Sequence, residues 1–190
     1  MKNALIVIDA QQIYSRGDSD LFVTDYAPAV ENINKLIDAA QANGELVIYV
    51  RHQHAADGTD AGRMFDFAGP SDELQFVAGT PDAEFMPELK IIDGAPIIIK
   101  NRYSCFVNTD LEKLLKENGI EKVTLCGFMT NFCVDATARH AHDLDYFVDV
   151  VLDACGTPGT EELSPIDTAR ATAATLSNGV AVVKNIGDLE

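Results

Sequence analysis

Apolar positions along the chain follow two different periods. Ala4 to Ile8 and Leu46 to Val50 are unbroken runs rich in β-branched residues, the pattern of strands buried on both faces. Between them Val30, Ile33, Ile37 and Ala40 recur at helical spacing. Thr24 or Asp25 stands where that helix wants an N-cap, and Gly44 where its end wants left-handed backbone. The alternation continues to the end of the chain. Pro96 to Lys100 predicts a third strand, with its proline at the start, where a missing donor is tolerated. Thr109 and Glu112 have capping-box spacing and open a helix that closes at Asn118 and Gly119. Lys122 to Cys126 then predicts a strand, Asn131 to Leu144 a helix, Tyr146 to Leu152 a strand, Ser164 to Ser177 a helix, and Val180 to Val183 a sixth strand.

Six strands alternating with helices predict a three-layer α/β/α fold, doubly wound on a mostly parallel sheet. One segment breaks the rhythm. Arg51 to Asp93 is an arm of about 40 residues, rich in Gly, Pro and acids, with neither period; such a stretch is a lid, a binding loop or an interface arm. The expectation is one domain over 1–190, with the arm at 51–93.

Composition narrows the partners. The 190 residues carry 14 Lys and Arg against 30 Asp and Glu, a net charge of −16, which argues against nucleic acid or an anionic membrane surface. Tryptophan is absent and aromatics are 7%, a poor base-stacking platform. A small anionic substrate is not excluded, because a local pocket can oppose the global field. No apolar run approaches the roughly 20 residues of a membrane span or the core of a secretory leader. Cys105, Cys126, Cys133 and Cys155 form no Cys-x-x-Cys pair, so they read as reduced thiols in a cytoplasmic protein.

In an open α/β sheet, ligands bind beyond the carboxyl ends of the strands. Asp9, Lys100 and Cys133 stand at three such ends. Each has an ordinary reading: an Asx turn, a solvated strand terminus, a structural thiol. Together they place an acid, a cation and a nucleophile on one rim. A thiol at a helix start feels the positive end of the macrodipole, and with Lys100 beside it the expectation is a thiol pKa depressed from about 8.5. Free N–H groups at the same turn are candidates for holding an oxyanion.

The segments Ile6–Gln11, Lys100–Phe106 and Gly127–Arg139 carry a resemblance. On these motifs the chain resembles the isochorismatase-like cysteine hydrolase superfamily, which includes nicotinamidases, N-carbamoylsarcosine amidase and ureidoacrylate amidase. The resemblance implies that Asp9, Lys100 and Cys133 are catalytic. It also implies a cis Phe128–Met129 bond that presents the Met129 and Cys133 N–H groups as an oxyanion hole. The implied reaction is hydrolysis of a C–N bond in a small amide, ureide or carbamoyl compound through a Cys133 thioester. An isochorismatase-type vinyl-ether hydrolase and a catalytically silent binding protein of the same fold are the alternatives.

Nicotinamidases of that superfamily hold a metal with an Asp-x-His pair after the second strand. Here the stretch is His52-Gln53-His54, without the aspartate. His52 and His54, aided by Asp57 or Asp60, could begin a Zn site; the favoured reading is no metal and no cofactor. His140 and His142 lie about 200° apart on their helix and cannot share a ligand. Gln11, Gln12, Tyr14, Phe65, Phe106 and Phe132 are the candidate substrate contacts, with plain core packing as the alternative for the phenylalanines. Arg51 and Arg63 could clamp a substrate carboxylate or pair with acids of the arm. The resemblance further implies a homo-oligomer, for which the arm is the candidate contact.

Overall fold

The computed structural model describes residues 1–66, 68–69 and 73–189; arm residues 67 and 70–72 fall outside the described ones. Six strands form one sheet: β1 (Asn3–Ile8), β2 (Leu46–His52), β3 (Ile97–Lys100), β4 (Lys122–Phe128), β5 (Phe147–Gly156) and β6 (Val182–Lys184). Their spatial order is β3-β2-β1-β4-β5-β6, and every pairing is parallel. The chain therefore winds outward in both directions from the β1–β4 boundary. That boundary is the switch point where such sheets open a crevice.

Helix α1 (Tyr26–Ala42) covers one face through Val30, Ile33, Leu36 and Ile37, which pack on Leu5, Val7, Val47 and Tyr49. Helices α2 (Leu111–Glu117), α3 (Asp135–Asp143) and the end of α4 (Pro165–Leu176) cover the other, against Ile6, Ile8, Ile48, Val123 and Leu125. Odd and even positions of β1 thus feed different cores, and the strand reads as a continuous apolar run for that reason. No helix among the described residues is long and apolar enough to cross a membrane.

The arm is where pattern and structure diverge most. Among its described residues between β2 and β3 it forms only one short 3-10 turn, Pro81–Ala83, yet Phe76, Met86 and Leu89 are buried in the α1-side core. The arm takes the place of a crossover helix as cover for that face. It holds itself by backbone bonds such as His54 N to Phe76 O at 2.9 Å and Met86 N to Ala10 O at 2.9 Å.

Smaller differences have local causes. β5 runs on from Leu152 to Gly156, because a bulge shifts the register between Leu125 and Gly127 and lets Gly127 pair with Cys155. The capping box at Thr109 does not form. Thr109 Oγ1 accepts from Leu111 N at 3.2 Å, while Glu112 pairs with Lys116 one turn on. The expected helix at 131–144 begins as a π-helical turn, Thr130–Val134, and becomes α-helical at Asp135. The last strand starts two residues later and ends one residue later than expected.

Candidate active site

Strand register brings the site together. Ile8 pairs with Val50 and with Gly127, and His52 pairs with Lys100, so the carboxyl ends of β3, β2, β1 and β4 stand side by side. Asp9 follows β1 in the left-handed region, φ 49°, where an aspartate is one of the few side chains readily tolerated. Gly127 is required by a close approach. Its φ is +121°, and a Cβ there would fall 1.9 Å from Ile8 O. Only glycine lets β4 lie this tightly against the turn that carries Asp9. Past Gly127 the Phe128–Met129 peptide bond is cis. Phe128 stacks on Tyr14 at 5.3 Å and lies against Gly156, where a Cβ would meet its ring at 2.5 Å.

Asp9, Lys100 and Cys133 converge in the interior, each no more than 3% exposed. Lys100 Nζ lies 2.7 Å from Asp9 Oδ2 and 3.2 Å from Cys133 Sγ. The same ammonium lies 3.1 Å from His52 Nδ1 and 3.1 Å from Arg102 O. Among the described residues, ligand atoms of Asp9, His52 and Cys133 are close enough to share an ion. The Lys100 ammonium already lies against all three. His52 and His54 meet each other at 2.9 Å through their Nε2 atoms, and His54 Nδ1 lies 3.2 Å from Asp60 Oδ1. All four ring nitrogens have side-chain partners. Asp57 instead accepts from Thr59.

The electrostatics correct one expectation. Burial pushes the Cys133 thiol up; Lys100 opposes this, while the Asp9 charge and a hydrogen bond to Asp9 reinforce it, and the net shift is upward. Burial also raises the Asp9 carboxyl against the opposing pull of Lys100. Burial works against the Lys100 charge too, but Asp9 and Cys133 outweigh it and hold the ammonium. A buried site that already holds one cation and one anion resists a third charge. The upward shift favours the neutral thiol, and transfer of its proton to the adjacent Asp9 would conserve the site's charge. All four cysteines are free, and burial pushes Cys105 and Cys155 up to about 12.

Beside Cys133 opens a cavity of about 600 Å³ lined by Tyr14, Leu21, His52, Met64, Phe65, Glu73, Gln75, Phe76, Tyr103, Met129, Phe132 and Cys133. Three of the six expected substrate contacts, Tyr14, Phe65 and Phe132, lie on this wall. The other three do not. Gln11 is a clamp: its amide accepts from His52 N at 2.8 Å and donates to His52 O and Ala83 O at 2.9 Å each. Gln12 donates to Phe85 O, and Phe106 packs in the opposite core against Tyr146 and His140. Polarity and size made these residues candidates, but side-chain direction decides the wall, and it turns them away. Arg51 pairs with Glu84 at 2.8 Å and Arg63 with Asp66 at 3.0 Å, the second of the two readings open for them, and neither lines the cavity. His142 is exposed, and His140 meets Ser104 Oγ at 2.9 Å.

Sequence reasoning missed Leu21, Met64, Glu73, Gln75, Phe76 and Tyr103 on the wall, and the contact of His52 with Lys100. Tyr103 had a signal, standing three residues past Lys100 in one of the segments that carry the resemblance. The arm residues had none, since no periodicity reports which way a loop side chain turns.

A parallel sheet whose switch point gathers an acid, an ammonium and a thiol beside a cavity is the layout of an α/β enzyme. Comparison with known proteins makes this specific. The isochorismatase domain profile matches residues 3–179. The chain belongs to the isochorismatase family and is a hydrolase. It is 31% identical to the ureidoacrylate amidohydrolase RutB of Rhizobium rhizogenes, over 98% of this chain and 81% of that protein. It is 34% identical to the RutB of Acinetobacter baylyi, over 85% and 74%. A cysteine hydrolase from Pseudomonas syringae pv. phaseolicola superposes with a TM-score of 0.88 at 30% identity, covering 99% of this chain and 90% of that one.

Proposed function

We propose that this hydrolase cleaves the C–N bond of a small amide, ureide or carbamoyl compound through a covalent Cys133 intermediate. The observation that carries the reading is the buried contact of Asp9, Lys100 and Cys133 beside the cavity. The Asp9 carboxylate takes the Cys133 proton as Sγ attacks the substrate carbonyl carbon. The backbone N–H groups of Met129 and Cys133 hold the resulting oxyanion. Protonated Asp9 then passes its proton to the leaving nitrogen, the C–N bond breaks, and ammonia or an amine departs from a thioester. Asp9 next takes a proton from water as it attacks the thioester, and returns that proton to Sγ when the acid is released. Lys100 stays charged throughout and faces whichever of Asp9 and Cys133 carries the negative charge.

The relatives' name, ureidoacrylate amidohydrolase, supports C–N hydrolysis. The wall refines the substrate class. Its described residues are mostly aromatic and thioether side chains and include neither Arg nor Lys, with Glu73 and Gln75 supplied by the arm. A neutral amide or ureide with a planar or apolar portion suits this lining better than one carrying a carboxylate.

The test is a panel of small primary amides, ureides and carbamoyl compounds, scored by ammonia release and by the mass of acyl-Cys133. Cys133→Ala should lower turnover of any accepted substrate by at least about 10³-fold, with the melting temperature little changed. Undiminished turnover in that variant would overturn the reading. Vinyl-ether cleavage that survives Cys133→Ala but not Asp9→Asn would carry the isochorismatase-type alternative instead.

A further inference from the structure

His52 and His54 have no step in the proposed reaction, yet both are buried, 1% exposed, beside it. Their hydrogen bonds form a chain whose direction is fixed from one end. An ammonium only donates and would repel an N–H aimed at it, so at 3.1 Å from Lys100 Nζ the His52 Nδ1 is the unprotonated ring nitrogen. His52 is then the tautomer protonated at Nε2, and that N–H faces His54 Nε2 at 2.9 Å. His54 Nε2 must accept in turn, which leaves its proton on Nδ1, 3.2 Å from Asp60 Oδ1. The Asp60 carboxylate only accepts, and it is held in place by Ala55 N at 3.0 and 3.1 Å. Each link determines the next, and none is left without a partner.

A second path joins the same ends. Arg102 donates to the Asp60 carbonyl at 2.8 Å, and the Arg102 carbonyl accepts from Lys100 Nζ at 3.1 Å. Gly62, at φ +60°, makes room for it, since a Cβ there would lie 2.3 Å from the Arg102 guanidinium. The rings are fixed as well: Phe76 stacks on His52 at 4.5 Å, and Phe65 meets His54 edge-on at 5.3 Å. Burial holds both imidazoles below their ordinary pKa, consistent with two neutral rings in series.

We propose that His54 and Asp60 are positioning residues, which through the imposed tautomer of His52 aim the Lys100 ammonium at Asp9 and Cys133. The inference rests on the proposed role of Lys100 beside the nucleophile. The arm, through Asp60, thereby sets the geometry of a site to which it contributes no reacting group.

The test needs no substrate. In the intact protein, long-range ¹H–¹⁵N correlation should show His52 protonated at Nε2 and His54 at Nδ1. The rate of Cys133 alkylation by iodoacetamide reports how well Lys100 supports the thiolate. Asp60→Ala and His54→Ala should each slow it about 10-fold or more, since ångström-scale misplacement of a positioned group costs on that order. Asp60→Asn keeps an acceptor for His54 and should stay within about 2-fold of the parent. That rescue separates aiming from bulk stability, which all three variants can disturb. Once a substrate is found, kcat should fall with alkylation while KM holds. The inference is overturned by the opposite tautomers, by unchanged alkylation in both alanine variants, or by one equivalent of zinc ligated by His52 and His54 in the purified protein. Amide hydrolysis failing while the alkylation pattern holds would reject the proposed function and leave this inference standing.

Discussion

The β1–β4 boundary and the arm meet at the same cavity, but different rules build them. At the boundary, position follows from register. Ile8 pairs with Gly127, and the residues that leave those strands, Asp9 and the turn carrying Cys133, must then be neighbours. In the arm, position follows from side chains that find buried partners one by one: Phe76 on His52, Asp60 on His54, Met86 and Leu89 in the α1-side core. The ends of β1 and β3 and the turn after β4 carry the groups proposed to react. The arm supplies one side of the cavity wall, through Met64, Phe65, Glu73, Gln75 and Phe76, and the hydrogen-bond chain behind Lys100. The division separates chemistry from selectivity, with the chemistry on the part that packing constrains most.

The sharpest way to break this comparison is a pair of core truncations of similar cost. Ile33 is 0% exposed on α1 and Phe76 is 4% exposed in the arm, both in the same apolar cluster. Ile33→Ala should lower unfolding free energy by about 2–5 kcal/mol and Phe76→Ala by about 3–5 kcal/mol, read by urea denaturation. Only the second should change turnover by the folded fraction, because only Phe76 touches His52 and the cavity. Equal effects on folded-state activity would mean that the arm is mere cover.

The next effect is set by pH. Burial holds the Asp9 carboxyl above its ordinary 3.8, and the proposed reaction needs it ionised to take the thiol proton. As pH falls through that raised value, Asp9 protonates and kcat/KM drops, about tenfold per unit on the acid limb. The limb should therefore bend above pH 3.8. A bend at the ordinary carboxylate position would show that water reaches Asp9 in spite of the arm.

The same division explains what the sequence made legible. β1, β2 and β4 were readable because continuous apolar runs carry their own boundary signals, and Asp9, Lys100 and Cys133 were readable because they stand at the ends of such runs. The bulge that lengthens β5 leaves no such mark, since Asp153 interrupts the apolar run while the strand continues. The thiol's upward shift was hidden for another reason. A helix start and a nearby lysine are visible in sequence, but the burial that outweighs them is a property of the assembled site. Gln11 shows the limit most plainly: an amide two residues past Asp9 invites a substrate role, and only the folded chain shows it committed to the His52 backbone on both sides.

The smallest expected effect falls on the arm's own arginines. Arg51 and Arg63 are the cations nearest to hand for a substrate carboxylate in sequence terms, yet each is paired within the arm, with Glu84 and Asp66. Arg63 is 83% exposed at its side chain, so its ion pair adds little, and a partly exposed pair such as Arg51–Glu84 contributes about 0–1 kcal/mol. Arg51→Ala and Arg63→Ala should accordingly leave kcat/KM within about 3-fold for a neutral substrate and shift unfolding free energy by no more than about 1 kcal/mol. The informative measurement is selectivity between a neutral amide and its carboxylate-bearing analogue. If the arm shapes a wall without a cationic anchor, that ratio stays put in both variants. A selective loss of the anionic substrate on removing either arginine would place a working cation at the cavity, and the arm would then select by charge as well as by shape.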